Sequence, residues 1–290
     1  MSHDTIQIDS DALTATIAPL GAEMQSLRTS GGADLLWHGD PKWWSGRAPI
    51  LFPIVGKAPG DRIAVGDHEA QMRQHGFARR SAFTLASQGP SDCRHVLQDS
   101  AETRALYPFA FEIAVTHALE GATLTVSVEI SNRDAKPMPF GFGFHPAFAW
   151  PLPGAEGTPH EIRLDNGAEP ALARLRDGLL PPERQPSPFR NGHLTLDPDQ
   201  FEADAMIFPE GAGPGLSYGV PGGPELAFTF DNLPNLALWQ PPGAPFLCIE
   251  PWHGMAAEHA ASPQIAERPF SLTLPPRETA RFGYSVTARI

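Results

Sequence analysis

Glycine and proline, the residues that most often interrupt regular structure, are frequent enough in this chain to exclude long helices. There are 27 glycines and 32 prolines among 290 residues, about a fifth of the whole against an average near 12%. Between these interruptions the hydrophobic pattern runs with period two. In Leu124-Thr125-Val126-Ser127-Val128-Glu129-Ile130-Ser131 apolar and polar residues alternate strictly. Leu124, Val126, Val128 and Ile130 therefore share one face, as in an antiparallel strand with one wet side. Just before it Phe111, Ile113 and Val115 alternate with Glu112, Ala114 and Thr116, and Glu120-Gly121 separates the two runs. The pair predicts a hairpin. Further strands are expected over residues 5–9, 13–17, 83–87, 95–98, 226–230, 236–239, 246–250, 270–274 and 280–287.

Helical signals are weak. Asp197-Pro198-Asp199 predicts the cap of one short helix, and residues 255–261 another turn. Residues 150–160 and 179–192 read as long loops. No internal repeat or linker divides the chain. The expected architecture is all-β: a large antiparallel β-sandwich with few short helices, built as one domain over residues 1–290.

Hydrophobic residues make up 41% and charged residues 19%, enough apolar material for a sizeable core. The formal net charge of −12 argues against nucleic acid and anionic membrane surfaces as partners. Cys93 and Cys248 sit in apolar strand-like stretches and read as buried reduced thiols rather than a disulfide framework. The N-terminal Met-Ser-His-Asp-Thr has neither a basic nor an apolar signal region, and no run approaches the roughly 18 apolar residues of a membrane span. A cytoplasmic protein is expected.

Four segments embed ionisable residues among aromatics, glycine and proline: Arg47 to Pro53, His75-Gly76-Phe77-Ala78-Arg79, Phe144-His145-Pro146-Ala147-Phe148, and Glu250-Pro251-Trp252-His253. Rigid apolar surroundings shift pKa values and hold geometry. His145 reads either as a core histidine bonded to a carbonyl or as a general acid or base. Glu250, ending an apolar run, reads either as an exposed strand-end carboxylate or as a desolvated base. Arg79 reads either as a surface residue beside Arg80 or as a ligand contact. The spacing of the histidines and carboxylates gives no zinc signature, so no metal site is expected. Nucleophile-elbow, Walker and dinucleotide patterns are missing.

Taken in order, these segments resemble the aldose 1-epimerase (galactose mutarotase-like) family, in particular its short bacterial branch. The resemblance rests on Arg47 with Pro49-Ile50-Leu51-Phe52-Pro53-Ile54-Val55-Gly56, on the His75–Arg79 and Phe144–Phe148 segments, and on Glu250-Pro251-Trp252. Residues 201–208, which include Asp204, are similar to the family's region carrying a substrate-binding aspartate. The resemblance implies a β-sandwich with a concave face that holds a sugar. It implies an isomerase that interconverts α and β anomers without a cofactor, with Glu250 as base and His145 as acid. His75, Arg79 and Asp204 match substrate contacts, and Arg47 a further arginine of one sub-branch.

That chemistry suits these residue types. Anomer exchange needs the C1 hydroxyl deprotonated while the ring oxygen is protonated, and one carboxylate and one imidazole on opposite sides of the hemiacetal suffice. The small-molecule partner is then a sugar, and the protein a monomer or homodimer. Trp43, Trp44, Trp239 or Trp252 is expected either to stack on the sugar or to pack in the core. Arg47 and Arg79, with Arg80 and Lys57 nearby, motivate a hexose-6-phosphate 1-epimerase as an alternative. A non-catalytic carbohydrate-binding protein on the same fold is the other.

Overall fold

The computed structural model describes residues 5–290; Met1 to Asp4, read above for targeting, lie outside them. Strands hold 45% of the chain and helices 7%, so the all-β expectation holds. The hairpin forms as expected: Phe111–Glu120 pairs with Thr123–Asn132, with Glu120 opposite Thr123 across a turn at Gly121, φ +52°. Leu124, Val126, Val128 and Ile130 all point into the core.

This hairpin is the middle of a nine-stranded antiparallel sheet. Its order is His193–Thr195, Glu161–Leu164, Gly215–Gly219, Glu225–Asp231, Thr279–Arg289, Thr123–Asn132, Phe111–Glu120, Asp92–Gln98 and Thr84–Gln88. A six-stranded sheet packs against it. That sheet runs Met206–Phe208, Asn235–Trp239, Phe246–His253, Phe142–Phe144 and Ile50–Leu51, with Ala147–Ala149 also pairing to Phe246–His253. Aromatic pairs join the two layers: Phe142 to Phe282 at 4.8 Å between ring centroids, Phe144 to Tyr284 at 4.9 Å, and Phe148 to Phe228 at 5.1 Å. Offset and edge-to-face rings at such distances add specific attraction to the burial of their area. A three-stranded sheet (Ile6–Asp9, Leu13–Ile17, Met24–Thr29) lies beside Asp92–Gln98 and Phe111–Glu120.

Two helical expectations meet different outcomes. Pro198–Phe201 forms a 3-10 turn capped by Asp197, whose side chain accepts from the Asp199 N–H. Residues 255–261 are not helical. Their backbone groups are used sideways: the Ala257 N–H donates to the Lys57 carbonyl, and the Ala257 carbonyl accepts from the Leu180 N–H. The α-helix Ala101–Leu106, capped reciprocally by Ser100 and Thr103, was not anticipated, since six residues are too few for a 3.6 period to show. No helix among the described residues is long and apolar enough to cross a membrane.

The core contains one chemical anomaly. His95 and His117 face inward from adjacent strands, 0% and 3% exposed, and neither His95 nitrogen nor His117 Nδ1 has a partner among the described residues. Burial lowers the pKa of both, and of His117 to about 3 with His95 as the second cause. Both are therefore neutral when folded and titrate near 6.5 when unfolded. Because the unfolded chain binds more protons, stability is lost as pH falls below about 6.5, by up to roughly 1.4 kcal/mol per pH unit for each histidine. We expect His117→Phe or His95→Phe to flatten the fall of the urea midpoint between pH 6.5 and 4.5. An unchanged slope in both variants would exclude these residues as its source.

Candidate active site

The strand Phe246–His253 is buried along almost its whole length. Leu247 and Ile249 point into the core between the sheets, whereas Phe246, Cys248 and Trp252 join clusters on the opposite face. By the same alternation Glu250 points to that opposite face. It is 2% exposed.

His145 is brought over this carboxylate by a break in the neighbouring chain. Phe142–Phe144 pairs with Trp252 and His253, and Ala147–Ala149 pairs with Phe246 to Cys248. Both segments thus use the same strand, and His145-Pro146 bridges the gap between them opposite Glu250. The His145 N–H donates to the Pro49 carbonyl, and the Pro146 carbonyl accepts from Ile249. Gly143 is required here: a Cβ would come within 2.4 Å of Trp252 Cδ1. The result is a contact of 3.2 Å between His145 Nε2 and Glu250 Oε2. The two groups therefore lie side by side, not on opposite sides of a bound hemiacetal as anticipated.

His75 and Gly76 reach the same place through a left-handed turn, with φ of +66° and +71°. His75 is tied at both ends to Gly56: its N–H donates to the Gly56 carbonyl, and its Nδ1 accepts the Gly56 N–H at 3.1 Å. That bond leaves the ring proton of the neutral histidine on Nε2. A Cβ at Gly76 would lie 2.1 Å from the Phe52 carbonyl oxygen, so no other residue fits. The 3-10 turn Ala78–Arg80 then delivers Arg79. Asp204 follows the Pro198–Phe201 turn, also with positive φ, at +65°.

These five residues, His75, Arg79, His145, Asp204 and Glu250, line one cavity of about 280 Å³. Arg47 is not among its lining residues. Its guanidinium lies against Gly39, while its backbone N–H and that of Ala48 donate to Glu23 Oε1. Trp44, Trp239 and Trp252 are in the cavity wall. Trp44 stacks on the His145 ring at 4.8 Å, and Trp239 meets it edge-on at 5.7 Å. The imidazole is thereby fixed in orientation by aromatic faces.

Burial governs the electrostatics. It pushes Glu250 well above the usual carboxylate range, with Asp204 adding to the rise and Arg79 opposing it. It holds His145 well below the usual imidazole range, helped by His75 and Arg79. It lowers His75 to about 3, with Arg79, Arg80 and Arg268 as further causes. A net charge on the His145–Glu250 pair is thus disfavoured in either direction.

Three supporting residues had no signal in the sequence. Arg268, 7% exposed, donates to the carbonyls of Val55, Lys57 and Met255, which fixes the segment carrying Gly56. Burial lowers its pKa to about 10. Arg174 donates to the carbonyls of Asp204 and Gln200 and holds the left-handed turn of Asp204 from behind. Leu175 contributes an apolar part of the wall. The latter two belong to a segment anchored by pairing of Ala173 with Ile207, and sequence spacing carries no trace of that pairing.

Comparison with known proteins bears on the family and the fold. The family described as aldose 1-epimerase matches residues 4–172. The plasmid and chromosomal LacX proteins of Lactococcus lactis subsp. lactis are each 29% identical over 298 residues, covering 98% of this chain and 99% of theirs. A galactose mutarotase related enzyme from Lactobacillus acidophilus superimposes with a TM-score of 0.92 at 27% identity, over 99% of this chain and 98% of the other. A galactose mutarotase-like protein from Lactobacillus casei gives 0.91 at 27% identity, over 99% and 100%. With the family match spanning more than half of the chain and these likenesses carrying the same fold through the remainder, the chain belongs to the aldose 1-epimerase family.

Proposed function

We propose that the protein is a mutarotase, interconverting the α and β anomers of a free hexose. The observation that carries this reading is the buried 3.2 Å contact between His145 Nε2 and Glu250 Oε2 at the wall of a sugar-sized cavity. The C1 hydroxyl oxygen and the ring oxygen of an aldopyranose are bonded to the same carbon. Two groups side by side are therefore suited to address one each. With sugar bound and the pair's proton on His145, the Glu250 carboxylate takes the proton from the C1 hydroxyl while the imidazolium gives its own to the ring oxygen. The C1–O5 bond breaks, C1–C2 rotates, and the ring closes from the other face with the roles reversed.

The pair begins and ends each turnover with one proton, so no proton is exchanged with solvent and no further acid or base is needed. Burial strengthens Glu250 as a base, bringing it nearer to the hydroxyl it must deprotonate. Arg79, Asp204 and the Nε2–H of His75 hold sugar hydroxyls by hydrogen bonds, those to the charged groups being the stronger. The phosphate alternative drew its support from Arg47 and Arg79, with Arg80 and Lys57 nearby; Arg79 and Arg80 line the cavity, whereas Arg47 and Lys57 do not. With the Arg47 guanidinium against Gly39, the free hexose is the better reading. The intact acid–base pair weighs against a purely carbohydrate-binding protein.

Anomer exchange across a panel of aldoses and their 6-phosphates, followed by polarimetry or NMR, tests this reading. Glu250→Gln and His145→Asn should each slow exchange by about 10²–10⁴-fold without unfolding the protein. The double variant should be scarcely worse than either single one, because the two act as a unit. Near wild-type exchange by Glu250→Gln would remove Glu250 from the mechanism.

The wall residues separate the two substrates. Arg79→Ala should cost a free hexose about 10–100-fold in kcat/KM, the scale of one hydrogen bond to a charged group, whereas Arg47→Ala should leave it unchanged. A large KM effect of Arg47→Ala confined to a hexose 6-phosphate would favour the phosphate enzyme instead. Arg174→Met should raise KM about tenfold and leave kcat nearly unaltered, since it loosens the turn carrying Asp204 and not the His145–Glu250 pair. An equal loss in kcat would show that Arg174 supports more than binding.

A further inference from the structure

The mechanism above leaves unused a soft, polarisable group next to its acid–base pair. Cys248 lies two residues before Glu250 on the same face of the strand, fully buried, in a cluster with Trp37, Ala147 and Phe246. One ligand atom each from His145, Cys248 and Glu250 lie within 4.8 Å of one another. Imidazole nitrogen, thiolate sulfur and carboxylate oxygen are the three donors that zinc prefers. Bond lengths near 2.0–2.3 Å place tetrahedral zinc ligands about 3.3–3.6 Å apart. The His145–Glu250 contact, at 3.2 Å, already has nearly that edge, and the thiol lies within 4.8 Å of both. Glu250 Oε2 is buried with no hydrogen-bond partner among the described residues, so an acceptor stands ready.

We propose that His145, Cys248 and Glu250 form an inhibitory site for a thiophilic divalent cation, with Zn²⁺ the leading occupant, entered from the cavity. Binding releases the thiol proton and the proton held by the pair to solvent, and three metal–ligand bonds form. Thiolate and carboxylate together carry two negative charges, which neutralise the cation, so the complex adds no net charge to a buried place. Arg79, half-buried in the same wall, opposes a cation there but is outweighed by two anions in direct contact with it. The fourth tetrahedral position is left to a water or a sugar hydroxyl from the cavity. Occupancy rests on the ligand geometry alone. Inhibition rests in addition on the mutarotase reading, because the metal would engage the base and the acid at once.

The test separates the two. Cd²⁺ or Co²⁺ titrated into the full-length protein without sugar should produce a thiolate-to-metal charge-transfer band that saturates at one ion per chain. The band should vanish in Cys248→Ser and persist in Cys93→Ala, the other free thiol. Zn²⁺ affinity, measured by competition against the reporter ion, should fall at least tenfold in Cys248→Ser. Should that variant unfold, Cys248→Ala at an apolar position of similar size takes its place. Where wild-type protein exchanges anomers, Zn²⁺ should stop it, a chelator should restore it, and Cys248→Ser should exchange normally while resisting the metal. A missing band, a band that follows Cys93, or unchanged Zn²⁺ affinity in Cys248→Ser would overturn the proposal. A band without anomer exchange would keep the metal site and sink the mutarotase reading; exchange without the band would do the reverse.

Discussion

A strand with no wet face sets the terms for the rest of this molecule. Phe246–His253 is covered on one side by the core between the sheets and on the other by tryptophans and the cavity wall. A carboxylate on such a strand is stripped of water, which costs several kcal/mol if it stays charged and unpaired. Glu250 is accommodated by three neighbours acting differently. His145 Nε2 lies 3.2 Å from it, Arg79 lowers its charge cost through the field, and Asp204 raises it. The buried contact thus sets a carboxylate that burial pushes toward its protonated form beside an imidazole that burial pushes toward its neutral form.

The rim of the cavity is built differently, from strained backbone held in place by hydrogen bonds. His75 and Asp204 both adopt left-handed conformations unusual for residues with a side chain. Such conformations persist only where the surroundings over-determine them. For His75 the surroundings are the two bonds to Gly56, in a segment clamped by Arg268. For Asp204 they are the turn capped by Asp197 and the grip of Arg174. Arg268 is the more costly device, a buried cation satisfied by carbonyls. Its field also helps to keep His75 neutral, so one side chain serves both shape and charge.

The two cysteines show how the same residue type acquires different surroundings. Both are buried thiols in strands. Cys93 faces the inner core opposite His117, whereas Cys248 lies beside His145 and Glu250. Asp92 and Arg94 flank the first on a strand with one wet face, whereas Leu247 and Ile249 flank the second on a strand buried on both.

The alternation of Leu124 to Ser131 and the density of glycine and proline determined the fold class, because period two has only one regular solution and short runs preclude long helices. The motifs around His75, His145 and Glu250 likewise marked the site, since ionisable groups among aromatics and prolines are locally visible. The helix Ala101–Leu106 and the non-helical path of residues 255–261 were not legible. The first is too short to show a period, and the second is decided by pairing with Lys57 and Leu180, far away in the chain. Only the tertiary structure decided that Arg47 turns away from the cavity, that Arg174 and Arg268 support it, and that Glu250 and His145 touch. Those facts depend on which strands become neighbours. A linear pattern records the face on which a residue lies, but not what a residue a hundred positions away brings to meet it.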